Sequence, residues 1–136
     1  MIGIILVTHE NIGAELLRAV DSIVGPQKQV QAIKIGPHDD MESCRDQIFS
    51  AIKDTNTGDG VVILADMFGG TPSNLAIASM PLGHAVVLAG VNLPMLIKLA
   101  TVRSSMPLLE AAREAESAGR KYIQLVSENL ATGQSE

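Results

Sequence analysis

Apolar residues along this chain fall into short continuous runs, separated by stretches in which apolar residues recur with helical spacing. Residues 2–7, 61–65 and 85–89 are almost wholly apolar, and residues 30–35 alternate between apolar and polar. Short apolar runs that are bounded by polar residues and followed by a helical pattern are typical of parallel strands buried on both faces. The pattern therefore predicts four strands, each opening a βα unit.

The segments after these strands carry apolar residues at helical spacing and end at Gly, Pro or polar turn residues. We predict helices over residues 12–24, 41–52, 72–79, 95–100 and 105–119. Asp39 or Asp40 is expected to cap the second helix, and Thr71 the third. Residues 120–126 predict one more strand, which is more polar and therefore at an edge or antiparallel. From Ser127 onward we expect a frayed tail.

This order of elements predicts an α/β fold: a doubly wound, mainly parallel open sheet with helices on both faces. A length of 136 residues fits one domain over residues 1–136. The 46% hydrophobic and 18% charged residues indicate a globular protein. No apolar run reaches the roughly twenty residues of a membrane span, and the N-terminal run is needed as a strand. We therefore expect a soluble cytoplasmic protein.

Charge and composition argue against several kinds of ligand. The net charge is −5, the ten Lys and Arg are scattered, and the chain has two Phe, one Tyr and no Trp. Nucleic acid is therefore not an expected partner. The single Cys44 excludes an internal disulfide, and His9, His38 and His84 lack metal-ligand spacing. Neither the dinucleotide fingerprint nor the phosphate-loop pattern is present, so we expect no metal and no cofactor.

Three predicted strand ends stand out because polar residues and glycines follow them. Thr8-His9 comes after strand one, residues 66–74 come after strand three, and residues 90–94 come after strand four. If strands one and three are neighbours, with strand two outside strand one, the chain reverses its direction between them. Ligands bind at such switch points, beyond the carboxyl ends of the strands. His9 and Asp66 would then lie at the mouth of one crevice.

The residue types at this crevice suit phosphoryl transfer. A neutral imidazole is a nucleophile, and a carboxylate on one ring nitrogen fixes the tautomer and stabilises the positive charge that develops. The glycine-containing turn after strand three offers backbone N–H groups, hydroxyls and a helix N-terminus to an anion. We predict a phosphohistidine at His9 that is oriented by Asp66. The expected phosphate-binding residues are Gly69, Gly70, Thr71 and Ser73.

Each of these signals is weak when it is taken alone. A histidine after a strand is more often a cap or turn residue, a carboxylate there can solvate a loop, and many βα loops contain glycine. A second interpretation is a receiver-like signalling module phosphorylated on Asp66. Such modules need an acidic pair after strand one, however, where this chain has Thr8-His9. A plain binding or dimerisation domain is a third interpretation.

Several blocks of sequence, taken together, resemble one family. They are Val-Thr-His at residues 7–9, Asp-Met-Phe-Gly-Gly-Thr-Pro-Ser-Asn at residues 66–74, Ala-Gly-Val-Asn-Leu-Pro-Met-Leu at residues 89–96, and Gly-Arg at residues 119–120. In this order they resemble the enzyme IIA domain of the mannose (mannose–fructose–sorbose) family of the bacterial phosphoenolpyruvate:sugar phosphotransferase system (PTS).

The resemblance implies a phosphocarrier that accepts a phosphoryl group from phospho-HPr on Nε2 of His9, with Asp66 holding Nδ1, and passes it to a histidine of enzyme IIB. It implies a homodimer, in some members with an exchanged C-terminal strand, and a membrane permease that is reached only indirectly. Thr71 and Ser73 fall where the family has small hydroxyl residues beside the phosphate. The output would be sugar transport or a regulatory phosphorelay. A close variant is the phosphoryl-donor subunit of the PTS-dependent dihydroxyacetone kinase.

Two residues depart from the pattern of the family. Glu10 stands where Gly often follows the histidine, and we hypothesise that its charge tunes partner choice or the lifetime of the phosphate. Phe68 stands where Trp is frequent. No IIB domain follows Glu136 in this sequence, so we expect the acceptor to be a separate protein.

Overall fold

The structure is a computed structural model that describes residues 1–82 and 84–131. The strands in these residues are β1 (Gly3–His9), β2 (Val30–Ile35), β3 (Val61–Ala65) and β4 (Ala85–Ala89). The helices are α1 (Ile12–Val24), α2 (Met41–Thr55), α3 (Thr71–Ser79), α4 (Leu93–Val102), α5 (Leu108–Lys121) and α6 (Val126–Ala131). A single 3-10 turn, Met80–Leu82, follows α3.

The strands form one parallel sheet in the order β2-β1-β3-β4. Val7 of β1 lies opposite Ile33 of β2 and Ala65 of β3, and His9 pairs with Ile35 at the end of the ladder. The chain moves outward from β1 to β2 and then crosses back, so that β3 lies on the other side of β1. The predicted doubly wound α/β fold, with its reversal between strands one and three, is confirmed.

Helices cover both faces of the sheet, and the side chains of each central strand alternate between two cores. On one face Ile4 and Leu6 pack with residues of α1, α4 and α5. On the other face Ile5 and Val7 pack with residues of α2 and α3. Every residue of β3, and every residue of β1 before His9, is buried. The two strands therefore give a rigid support to the residues at their carboxyl ends.

The C-terminal region differs from the sequence prediction. Residues 120–126 form no strand in the part of the chain that the structure describes, because α5 extends through Lys121 and residues 122–125 lead into α6. The alternating pattern of this segment suits a strand, but a strand also needs a neighbour with which to exchange hydrogen bonds. In the single chain residues 122–125 pair with none of the described strands, and Ile123 is left 76% exposed. The predicted edge strand is therefore wrong for the single chain.

Several element boundaries also differ from the prediction, among them the end of α2 and both ends of α4 and α5. The strand β1 is longer at its carboxyl end and includes His9, which makes the histidine the last residue of the ladder. Residues 127–131, the start of the tail predicted from Ser127, form part of α6. The rest of that predicted tail, residues 132–136, lies outside the described residues.

Candidate functional site

His9 and Asp66 meet at the carboxyl edge of the sheet. His9 ends β1, and Asp66 follows Ala65, the last residue of the adjacent β3. The backbone N–H of His9 donates to Oδ2 of Asp66 at 2.9 Å, and Nδ1 of the ring lies 2.8 Å from the same oxygen. The other carboxylate oxygen, Oδ1, accepts from the N–H of Met67 at 3.0 Å. The structure thus brings the two predicted residues together and holds the carboxylate by three hydrogen bonds, two to Oδ2 and one to Oδ1.

This contact decides which nitrogen of the imidazole is free. An ionised carboxylate can only accept hydrogen bonds, so the proton of the neutral ring is assigned to Nδ1 and the lone pair to Nε2. The side chain of His9 is 44% exposed, whereas that of Asp66 is 12% exposed. The ring can therefore be reached by another molecule while the carboxylate behind it is shielded.

The protonation state of Asp66 suits this role. Burial by itself raises the pKa of the Asp66 carboxyl, but the hydrogen bonds from the backbone and the ring of His9 outweigh it and hold the pKa below its ordinary value. Asp66 is therefore ionised at neutral pH. An ionised carboxylate at Nδ1 also stabilises the positive charge that the ring gains when Nε2 is substituted.

The turn between β1 and α1 is tied by one buried hydroxyl. Oγ1 of Thr8 accepts from the N–H of Gly13 at 2.9 Å and donates to the carbonyl of Glu10 at 3.4 Å. Glu10 has a φ of +48°, in the left-handed region, and its N–H donates to the carbonyl of Ile35 at 3.2 Å. The side chain of Glu10 is exposed. The chain therefore reverses directly after His9 at a residue other than glycine.

The turn between β3 and α3 is also tied by a hydroxyl. Oγ of the buried Ser73 accepts from the N–H of Gly69 at 2.9 Å and donates to the carbonyl of Gly70 at 3.1 Å. Gly69 has a φ of +93°, a conformation that favours glycine. The contacts of Ser73 and of the Gly69 N–H therefore lie within the turn. As phosphate ligands, both would first have to give up these hydrogen bonds.

Gly70 borders the ring of His9, whereas Thr71 is exposed beside it in sequence. A side-chain carbon at Gly70 would lie 3.1 Å from Cε1 and 3.5 Å from Nε2 of His9, so the bare backbone of Gly70 borders the free nitrogen. Gly70, and not Thr71 as predicted, is the N-cap of α3, and no side chain caps the helix. The first N–H groups of α3 lack partners within the helix. Thr71 is exposed at the first helical position.

The third strand end has a structural role that the sequence did not predict. Asn92 is the N-cap of α4, its Oδ1 accepting from the N–H of Met95 at 3.0 Å, while its Nδ2 donates to the carbonyl of Gly119 at 2.9 Å. A side-chain carbon at Gly119 would lie 2.9 Å from Cε of Met95. The blocks around residues 92 and 119 therefore lock α4 to α5. Asn92 and Gly119 are 27 positions apart, so no local pattern could reveal this contact.

Several exposed apolar side chains lie close in sequence to His9 and Asp66, and the sequence analysis did not single them out as a group. Met67 is 56%, Phe68 75% and Ile12 47% exposed, each within a few residues of Asp66 or His9 in the two turns. Phe68 also lines a cleft of about 520 Å³ beside β4, together with Met80, Ile123 and others. Clustered apolar groups on a surface mark sites of contact with other proteins.

The remaining histidines and the cysteine lie outside this site. His38 and His84 are exposed in loops, and Cys44 is buried in α2, where burial first and then the charges of Asp39 and Asp40 raise the pKa of its thiol. Among the described residues, no three His, Cys, Asp or Glu side chains are grouped so that they could hold a metal ion. No helix in that part of the chain combines the length and apolar character needed to cross a bilayer.

The fold and the site together define an open, doubly wound α/β domain that presents an oriented histidine at the switch point of its sheet. The sequence model of the family described as "PTS system fructose IIA component" matches residues 3–116. The chain belongs to this family, the mannose-type EIIA components of the phosphotransferase system, and the resemblance that its sequence motifs indicated is confirmed.

Individual relatives agree with this assignment. The chain is 31% identical over 135 residues to the sorbose-specific EIIA component of the PTS from Lacticaseibacillus casei, which covers 98% of this chain and 96% of that protein. It is 30% identical over 124 residues to the mannose-specific EIIAB component from Escherichia coli (strain K12), covering 90% of this chain and 38% of that protein. The crystal structure of the EIIA component from Streptococcus agalactiae shares the fold, with a TM-score of 0.86 at 24% identity over 94% of this chain and 99% of that one.

Proposed function

We propose that this chain is a phosphocarrier, in which His9 accepts a phosphoryl group from phospho-HPr and passes it to a separate enzyme IIB. The observation that carries the proposal is the 2.8 Å contact between Nδ1 of His9 and Oδ2 of Asp66. It leaves Nε2 unprotonated on a side chain that is 44% exposed, and the backbone of Gly70 borders that nitrogen. These are the properties that a nucleophile toward phosphorus requires.

In the proposed reaction, Nε2 of His9 attacks the phosphorus of the phosphohistidine on the donor. A new N–P bond forms as the donor N–P bond breaks, and the donor imidazole keeps the electron pair of the broken bond. Asp66 balances the positive charge that the ring of His9 gains, and it needs no change of position because its contacts already exist. Transfer to the acceptor repeats these steps in reverse, with a histidine of enzyme IIB as the nucleophile.

The backbone around Gly70 supplies the proposed phosphate site. The open N–H groups at the start of α3 and the positive end of its dipole favour an anion there. The hydroxyl of Thr71 is exposed beside them, and Gly69 and Ser73 shape the turn. We expect Thr71 and the N–H groups of the turn to contact the phosphoryl group, and Ser73 to act mainly by holding the turn.

We also propose that the chain works as a homodimer. The outer edge of β4 has no strand beside it among the described residues. Ile123, from the segment predicted as a strand, lines the cleft next to that edge, and Leu125 is 66% exposed. A second copy could cover these groups by placing its own residues 120–126 beside β4. Sedimentation should show a dimer, and Ile123→Asp should shift it toward the monomer, whereas a monomeric wild type would contradict this proposal.

Two alternatives use the same fold with different chemistry or a different acceptor. Phosphorylation of Asp66, as in a receiver, would have to displace hydrogen bonds from His9 and Met67 that already occupy both carboxylate oxygens. Donation to a dihydroxyacetone kinase would use the same phosphohistidine, so only the acceptor distinguishes it. Transfer to a purified IIB protein, compared with transfer to the kinase subunit, separates those two outputs.

The test of the main proposal is labelling with phosphoenolpyruvate, enzyme I and HPr. We expect one phosphoryl group per chain in the wild type, stable to base and labile to acid. His9→Ala should abolish labelling, and His38→Ala is the matched control that should retain it, because His38 is an exposed loop residue and the Asp66 carboxylate is held by His9. Label that survives His9→Ala, or that is lost in base, would contradict the proposal.

A further inference from the structure

Glu10, the residue directly after His9, has a backbone conformation that is rare for a residue with a side chain. Its φ is +48°, and Gln29 is the one other non-glycine residue with a positive φ in the described part of the chain. Glycine adopts this region freely, whereas a β-carbon there is crowded against the backbone. A residue that is kept in such a conformation beside a functional group suggests a role for its side chain.

The turn imposes this conformation through backbone contacts that do not involve the Glu10 side chain. The N–H of Glu10 donates to the carbonyl of Ile35, its carbonyl accepts from the Thr8 hydroxyl, and that hydroxyl accepts from Gly13. Glycine at position 10 would keep all of these contacts without the crowding. The fold alone therefore does not explain why a residue with a carboxylate stands there.

Gln29 shows what a structural explanation would look like. Its side-chain amide donates to the carbonyls of Met1 at 3.1 Å and Thr55 at 2.9 Å, so its unusual backbone is accompanied by contacts within the fold. The carboxylate of Glu10 is exposed and makes no hydrogen bond or ion pair with any described residue. A role for the Glu10 carboxylate therefore lies outside the contacts of the fold. The adjacent candidate functional group on which its charge can act is His9.

We propose that the carboxylate of Glu10 sets the phosphoryl-transfer potential of His9. This inference rests on the proposed phosphocarrier function, in which His9 carries a dianionic phosphoryl group one residue away. Repulsion between the two negative groups raises the free energy of the phosphorylated form relative to the unphosphorylated form. Loading from phospho-HPr then reaches a lower extent, and delivery to an acceptor becomes more favourable.

The equilibrium constant for phosphoryl exchange with HPr measures this effect without interference from docking. It compares free phosphorylated and free unphosphorylated proteins, so contacts made only in the complex cancel. Glu10→Gln removes the charge and keeps the side chain, whereas Glu10→Gly removes both. Glu110→Gln is the control, because it removes an equal charge from the first turn of α5, where Leu108 packs beside Gly60 at the amino end of β3 and not at the carboxyl end.

At low ionic strength we expect Glu10→Gln and Glu10→Gly to shift the equilibrium toward the phosphorylated chain by about two- to fivefold, with Glu110→Gln unchanged. The difference should shrink toward onefold in ~1 M salt, where screening acts within a few ångströms. An unchanged constant for Glu10→Gln in low salt would overturn the inference, as would a shift in Glu10→Gly alone. A wild type that takes no label from phospho-HPr would instead refute the phosphocarrier function itself.

Discussion

The turn after β1 and the turn after β3 bring functional side chains to the same edge of the sheet, and each is tied by one buried hydroxyl. Oγ1 of Thr8 holds the N–H of Gly13, and Oγ of Ser73 holds the N–H of Gly69, both at 2.9 Å. Each turn also contains one residue with a positive φ. In the second turn that residue is Gly69, and in the first it is Glu10.

The backbone conformation alone explains the residue at one of these two positions but not at the other. Gly69 needs no explanation beyond its backbone, because its φ of +93° favours a residue without a β-carbon. Glu10 adopts a similar left-handed backbone despite its β-carbon, and it adds a negative charge next to His9. The turn after β3 therefore acts mainly as a scaffold for the carboxylate and for the open end of α3. The turn after β1 directly follows His9, the proposed phosphoryl carrier, and contains Glu10, which we infer tunes it.

The largest expected effect comes from the carboxylate of Asp66, which links the turn after β3 to His9 at the end of β1. Asp66→Asn replaces an acceptor at Nδ1 by an amide that can donate, which favours the tautomer with its proton on the wrong nitrogen. We expect the rate of transfer from phospho-HPr to fall by two or more orders of magnitude, roughly a hundredfold at least. Rapid-quench measurements would show this, with Asp46→Asn on the exposed side of α2 as control. A rate within threefold of the wild type would contradict the role of Asp66.

A smaller effect is expected where the second turn borders the ring of the first. Gly70→Ala would place a carbon 3.1 Å from Cε1 of His9, closer than most side-chain carbons approach a neighbour. The φ of Gly70 is −90°, so alanine fits the backbone itself and the crowding acts on the ring and on an incoming phosphoryl group. We expect about a tenfold slower transfer with little loss of stability. Unchanged kinetics would show that Gly70 does not border the reaction.

Substitution of Gly69 and of Glu10, the positive-φ residues of these two turns, should change the free energy of unfolding in opposite directions. Gly69→Ala introduces crowding and should lower the free energy of unfolding by about 1–2 kcal/mol. Glu10→Gly relieves crowding but gives the unfolded chain more freedom, so the free energy of unfolding should rise by at most about 1 kcal/mol. Urea denaturation measures both values. A Glu10→Gly protein clearly less stable than the wild type would mean that the Glu10 side chain supports the fold.

The smallest effect concerns pH. Because the folded state lowers the pKa of Asp66, the ionised carboxylate stabilises the fold above the pKa of the unfolded chain, near pH 4. That contribution is lost as the pH falls through the lower pKa of the folded state. The difference in unfolding free energy between wild type and Asp66→Asn should therefore be constant above about pH 5 and shrink below about pH 4. A difference that grows on acidification would contradict this assignment.

The sequence predicted the sheet and the histidine–carboxylate pair well for a physical reason. Central parallel strands must be apolar on both faces, so β1 and β3 stand out, and their carboxyl ends must share one edge. Once strands one and three are neighbours, His9 and Asp66 have few other places to lie. The pairing rests on topology, which the order of elements carries.

Other features depend on contacts that local patterns do not carry. The alternation of residues 120–126 does not show whether the segment pairs with another strand, and in the single chain it pairs with none of the described strands. The backbone path of the turn after β3 decides which hydroxyl forms a hydrogen bond within it. The hydroxyl of Ser73 accepts from the N–H of Gly69, whereas Thr71 is exposed. The left-handed backbone of Glu10 was likewise not predicted, because a glutamate gives no sign of it.

The central claim is that Asp66 holds Nδ1 of His9 and leaves Nε2 to carry the phosphoryl group. Long-range ¹H–¹⁵N spectra of the phosphorylated protein, with ³¹P coupling, identify the substituted ring nitrogen directly. We expect the phosphoryl group on Nε2, and Nδ1 still protonated. A phosphoryl group on Nδ1, or one bound to the carboxylate of Asp66, would contradict the account.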